Sequence, residues 1–173
     1  MNTTNSWSRY LLIAGYLAML IGAIDPMEGS LLILPGSGLV VLGTCLSGQP
    51  RRIIIYRMWI FFLIIIGVTA LWVASAQGGI GGDSGRSMWW GLLFAPYLIG
   101  WSIGIWGPDS PRWVLWSGIG IGLWYLVMLG MMLKMSANFD EPASSLIFVG
   151  FIAAIGVLTI GGCIYRLRKT KAV

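Results

Sequence analysis

Six apolar runs, each close to the length of a bilayer crossing, take up most of the chain and dictate what it can fold into. They cover about residues 7–24, 26–47, 53–76, 88–106, 111–133 and 142–165. An α-helix rises 1.5 Å per residue, so ~20 residues cross ~30 Å of hydrocarbon. The first and fourth runs are the shortest, and suit little tilt or a locally thinned bilayer. Only 10% of the residues are charged and 57% are hydrophobic. A soluble domain carries about a quarter charged residues to cover its surface, so this exterior must meet lipid. The expected fold is all-α: one domain, an integral membrane bundle of six transmembrane helices, followed by a basic cytoplasmic tail at 166–173.

The cations orient that bundle. With the N-terminus in the cytoplasm, Arg9, Arg51, Arg52, Arg57, Arg112, Arg166, Arg168, Lys169 and Lys171 fall inside, which is nine of the eleven basic residues. Only Arg86 and Lys134 fall outside. The acids invert the pattern, with Asp109 alone inside. Lysine and arginine in short loops set orientation, so both termini are expected in the cytoplasm. The first run lacks a small-x-small cleavage site and reads as an uncleaved signal anchor. The tail also spells K-x-K-x-x, a dilysine-like retrieval signal in a eukaryote, set against a plain basic anchor. The net charge of +5 does not indicate nucleic acid, because the cations gather at run ends instead of forming a stripe with interleaved aromatics.

Helix-end chemistry separates the runs. Gly107 and Pro108 stop the fourth helix; Ser110 as cap with Pro111 at the first helical position starts the fifth, and Glu141 with Pro142 starts the sixth. The absence of histidine removes the commonest general base, zinc ligand and haem ligand, so no cofactor or metal is expected. Cys45 and Cys163 lie within apolar runs, where thiols are unreactive.

Two acids stand out in "GAIDPMEGSLLILPGSG", residues 22–38. With Asp25 as cap, Pro26 takes the first position of the second helix and Glu28 the third, a capping-box spacing on the positive end of the helix dipole. Alternatively, Asp25 or Glu28 faces a cavity and binds a cation or proton, as intramembrane carboxylates do. Pro35 below them removes the hydrogen bond to Leu31. With Gly36, Ser37 and Gly38 it makes either a packed kink or a break that opens carbonyls to a site. The loop "QGGIGGDSGRSMWWG" holds five glycines between Gly78 and Gly85. It reads as a flexible turn, or as a tight loop bringing Asp83 and Arg86 toward Asp25 and Glu28, where an exposed ion pair would be worth under ~1 kcal/mol.

Of the ten tryptophans, Trp89, Trp90, Trp106, Trp113 and Trp116 fit an interfacial belt. Trp72, Trp101 and Trp124 lie deeper, and Ser102 and Ser117 are the expected polar neighbours. Such aromatic pockets either pack or hold a lipid, quinone or pigment. Small residues at i, i+4 spacing (Ala14, Ala18 and Gly22; Ala70, Ala74 and Gly78; Gly100 and Gly104; Gly118 and Gly122; Gly150 and Ala154) mark close helix contacts.

The segments "IDPMEGSLLILPGSGLVVLG" and "GGIGGDSGRSMWWGLLFAPYLIGW" resemble a group of small, uncharacterised bacterial membrane proteins. That group carries an IDPxEGS-like turn, a GGIGG loop and a WWGxLxxPYxIGW helix, and the resemblance covers about residues 11–106. It implies a bacterial inner-membrane location and carries over no activity.

The expected function is that of a non-enzymatic structural or accessory subunit, partnered by the bilayer and by another membrane protein or further copies of itself. The alternative is a small proton, ion or solute transporter using Asp25, Glu28 and the kink at Pro35. An intramembrane enzyme ranks behind both, for want of a nucleophile-and-base pair.

Overall fold

The computed structural model describes residues 6–25, 28–79, 88–136 and 142–171, with side chains for 6–25, 28–79, 90–131 and 150–170. The fold is all-α, and the described residues include no strand. Six α-helices follow one another: α1 (Ser6–Gly22), α2 (Ser30–Leu46), α3 (Arg51–Ala76), α4 (Ala95–Trp106), α5 (Arg112–Ser136) and α6 (Pro142–Lys171). A 3-10 helix, Met88–Phe94, leads into α4.

Among the described residues, three helices are long and apolar enough to cross a membrane: α3, Arg112–Met131 of α5 and Gly150–Thr170 of α6. The six apolar runs are thus not six full-length helices. The first two runs lose length to a turn, because α1 stops at Gly22 and α2 does not begin until Ser30. At 17 residues each, they are about 25 Å long. The fourth run divides into the 3-10 segment and a 12-residue α4, with Pro96 in the first turn of α4, where a missing N–H is harmless. At the other extreme, α6 carries its helix through the basic residues to Lys171, where a tail was expected from 166.

Successive helices run antiparallel, and glycine sets their closest approaches. Gly15 faces Gly36, Gly22 faces Gly29, and Gly43 faces Ser8 and Leu12. A Cβ on Gly15 would stand 2.6 Å from the Gly36 carbonyl oxygen. The contact face therefore repeats every seventh residue on both helices, at 8, 15 and 22 against 29, 36 and 43. A seven-residue repeat drifts only ~20° around a straight helix, so the seam holds along its whole length. Ala14 is exposed and Ala18 half-buried against Gly36, so the expected Ala14–Ala18–Gly22 row meets the seam at Ala18 and Gly22 but not at Ala14.

Similar approaches join the other pairs. A Cβ on Gly67 of α3 would fall on the Tyr97 backbone of α4, and one on Gly122 of α5 would come within 3.0 Å of the Gly156 carbonyl of α6. Gly118 meets Ile105 and Cys163, linking α4, α5 and α6. Gly150 and Ala154, by contrast, are exposed on α6, with no described atom within 4 Å of a Cβ placed on Gly150.

Trp101, 1% exposed, is the central side chain. Its Nε1 donates to Met19 O at 3.0 Å, and its ring meets Tyr125 edge-on at 5.8 Å. Met19 O is open because α1 tightens there, with Ala23 N–H donating to Leu20 O instead. The Tyr125 hydroxyl donates to Ala23 O at 3.0 Å, so α4 and α5 together cap the end of α1. Ser102 shares a 2.7 Å hydrogen bond with Thr159 of α6 and accepts from Trp106 Nε1. Trp72 donates to Ser30 Oγ at 3.1 Å, but it and Trp124 are both exposed, at 43% and 40%, so of the three tryptophans expected to lie deep only Trp101 does. No buried side-chain nitrogen or oxygen among the described residues lacks a partner.

Candidate functional site

Asp25 and Glu28 are both exposed, in the turn between α1 and α2. Asp25 Oδ1 accepts a 3.4 Å hydrogen bond from Glu28 N–H, and Asp25 O accepts from Gly29 N–H at 2.7 Å. The aspartate therefore binds the amide three residues on, as a cap does. Its helix starts later than the capping-box spacing predicts: Gly29 occupies the cap position of α2, with no side-chain cap bond, and Ser30 begins the helix. Close packing accounts for the delay, because Gly29 is pressed against Gly22 as the chain turns. Pro26 and Met27 of the same motif lie outside the described residues, as do Asp83 and Arg86 of the glycine-rich loop.

Pro35 sits inside α2 with its ring exposed. The residues that follow it are packed. Gly36 abuts Gly15, Ala18 and Met19, while Ser37 is buried and donates to Leu34 O at 2.8 Å. At Gly36, next to Pro35, α2 thus meets α1, and the hydroxyl that would have lined a site is spent on its own helix.

The densest polar centre lies at the opposite end of the bundle, around Arg57 of α3. Sequence reading groups Arg57 with the flanking cations Arg51 and Arg52, but it is 4% exposed. Its guanidinium donates from Nη1 to Gly104 O at 2.7 Å, and from Nη2 to Pro108 O at 2.7 Å and Ser110 Oγ at 3.2 Å. The Tyr16 and Tyr56 rings lie 5.5 and 5.8 Å from its central carbon, within cation–π range. Among the described residues no carboxylate takes part. The compensating charge is the carbonyl end of α4, the negative pole of its helix dipole.

Local sequence explains why those carbonyls are open. Gly104 O would normally accept from residue 108, but that residue is Pro108, which has no N–H. Asp109 then adopts φ +60°, a conformation aspartate tolerates better than most residues, which turns the chain back so that Pro108 O and Ser110 Oγ both reach Arg57. Neighbouring side chains complete the cap: the Tyr56 hydroxyl donates to Ile103 O at 2.9 Å and Arg166 Nε to Trp106 O at 3.2 Å. Ser110, read from sequence as the cap of α5, instead pairs with Arg57 and shares a 3.3 Å contact with the Tyr16 hydroxyl. Pro111 takes the capping role, its carbonyl accepting from Val114 and Leu115.

Two signals could have found this centre: an arginine inside an apolar run already flanked by an arginine pair, and a G-P-D-S-P turn with two residues unable to donate. Among the described residues, no group of three or more Cys, Asp or Glu side chains is placed to hold a metal ion. The chain matches no family profile, no curated protein and no solved structure.

Proposed function

We propose that this chain is a structural or accessory subunit of a membrane assembly, crossing the bilayer six times with both termini in the cytoplasm. Three helices meet the length and hydropathy of a crossing, and α1, α2 and the 3-10/α4 unit complete the count in a slightly thinned bilayer. The distribution of cations supports the orientation, and the motif resemblance supports a bacterial inner membrane.

The observation that carries the subunit reading is the outer face of α6. Gly150, Ala154, Val157, Gly161 and Ile164 are all exposed and share one side of the helix. Among the described residues, a Cβ on Gly150 or Gly161 would meet nothing within 4 Å. In lipid, helices associate where small residues let backbones approach, and the internal contacts of this bundle already use that device. An apolar face with open backbone at two glycines is suited to one more helix.

Mild-detergent purification of the full chain tests this reading. A stoichiometric membrane partner or a defined oligomer is expected, lost on Gly150→Leu with Gly161→Leu while the monomer stays as stable as before. A monomer isolated alone, with no cross-link formed from a cysteine at position 154 in native membranes, would overturn it. The transport alternative draws no support from the kink, where Gly36 packs against α1, or from two acids that are exposed at a turn.

A further inference from the structure

Beside the Arg57 centre, the turn between α4 and α5 and the last turns of α6 enclose a recess of about 310 Å³. Ser110 and Thr170 contribute hydroxyls, Leu115 an apolar wall, and Arg166 and Lys169 two cations from α6. Two further cations adjoin it. Arg57 is hydrogen-bonded to Ser110 of the lining, and Arg112 donates to Thr170 O at 3.3 Å. Against these four stands one carboxylate of the lining, Asp109, which is exposed. Arg166 uses Nε on Trp106 O, and neither Arg166 nor Lys169 makes an ion pair with a carboxylate among the described residues.

Four cations from three helices repel one another when brought around one concavity, and more strongly beside lipid than in open water. An anion in the recess removes that repulsion. α5 also starts here, with the positive end of its dipole at the turn. The hydroxyls and the arginine fork suit oxygen acceptors, and the volume holds a phosphate with a small substituent. We infer that this recess binds a phosphate oxyanion, supplied by the headgroup of an anionic phospholipid or by free phosphate. The lipid source rests on the membrane reading proposed above, with Leu115 providing the apolar side toward the glycerol; the oxyanion chemistry does not depend on that reading.

The test uses the full chain in a neutral maltoside detergent, following thermal unfolding by tryptophan fluorescence. Phosphatidylglycerol, phosphatidylcholine and inorganic phosphate are titrated separately. Phosphatidylglycerol is expected to raise the midpoint saturably and phosphatidylcholine to leave it unmoved. Arg166→Gln with Lys169→Gln should abolish most of the rise, while Arg9→Gln with Arg52→Gln should keep it. An equal rise with phosphatidylcholine, or a full rise in the Arg166/Lys169 double variant, would overturn the site. Inorganic phosphate matching phosphatidylglycerol would identify the soluble ion as the occupant, and no response to it would identify the lipid. Should the double variant fail to fold, because Arg166 also caps α4, Lys169→Gln alone is expected to weaken half-saturation about fivefold. Unchanged half-saturation there would sink the proposal. A chain found outside the membrane fraction would remove the lipid arm and leave the phosphate arm standing.

Discussion

A single side chain, Arg57, does most to join α3 to the far end of α4. Its three donated hydrogen bonds reach Gly104 O, whose usual donor is missing because residue 108 is proline, together with Pro108 O and the Ser110 hydroxyl. Arg57→Met would keep the length and apolar stem but leave Gly104 O and Pro108 O without donors. We expect it to lower unfolding stability in detergent by about 1.5–3 kcal/mol, the range for hydrogen bonds from a charged group. Arg57→Lys should recover less than half of that, since one ammonium cannot span both carbonyls as the planar fork does. A lysine variant as stable as the wild type would show that charge alone suffices. At the other end, Trp101→Phe removes the donor to Met19 O and replaces the buried indole by a smaller phenyl ring, so the lost hydrogen bond and the cavity together should cost about 2–4 kcal/mol by the same measurement. Residues such as these were hard to read from sequence. Arg57 sits six positions after Arg51, close enough to a helix start to pass for a topology signal. Asp25 was the easier case, because its binding to a following amide is local chemistry and needs no partner from elsewhere in the chain.

Helices in this bundle are apolar on every side, so hydrophobic periodicity carries little information about which face is internal. That is why the existence of the helices was legible in the sequence while their packing was not. Exposed faces of α5 and α6 hold Trp116, Leu123, Val127 and Leu158, which by composition alone would be core residues. What marks the closest approaches between helices is glycine at the point of contact, beside large core residues such as Trp101 and Tyr16. Even that signal depends on the period chosen: the i+4 rows of α1 include exposed Ala14, whereas the sevenfold register of Ser8, Gly15 and Gly22 is buried throughout. Substitution should separate the two. Gly15→Ala forces α1 and α2 apart at the Gly36 carbonyl and should cost about 1–3 kcal/mol. Gly120→Ala on the outer face of α5, where an added Cβ meets nothing described within 4 Å, should leave stability unchanged or raise it by up to about 1 kcal/mol through helix propensity. Equal effects at the two positions would argue against the seam.

For the whole molecule, the contacts sort the helix ends into two sets. Arg57, Ser110, Arg112, Arg166 and Thr170 share one end, and Asp25, Ser30 and Trp72 the other. Single cysteines placed in a Cys45→Ser, Cys163→Ala background test the proposed orientation. Asp25→Cys should react with an impermeant maleimide on intact cells, and Gln49→Cys and Arg168→Cys only after permeabilisation; the reverse pattern would invert the topology. The two-ended arrangement also bears on how the chain is made. Synthesis runs from the N-terminus, so Arg57 emerges well before the α4 carbonyls that will satisfy it. On the proposed membrane reading, until residue 110 has been added α3 carries a cation without its α4 carbonyls and would hold it near the lipid headgroups. On that reading, final seating of α3 would wait for α4, and the two would insert as a coupled hairpin. A nascent chain stopped near residue 80 would leave α3 shallow, and arrest beyond residue 110 would let it settle.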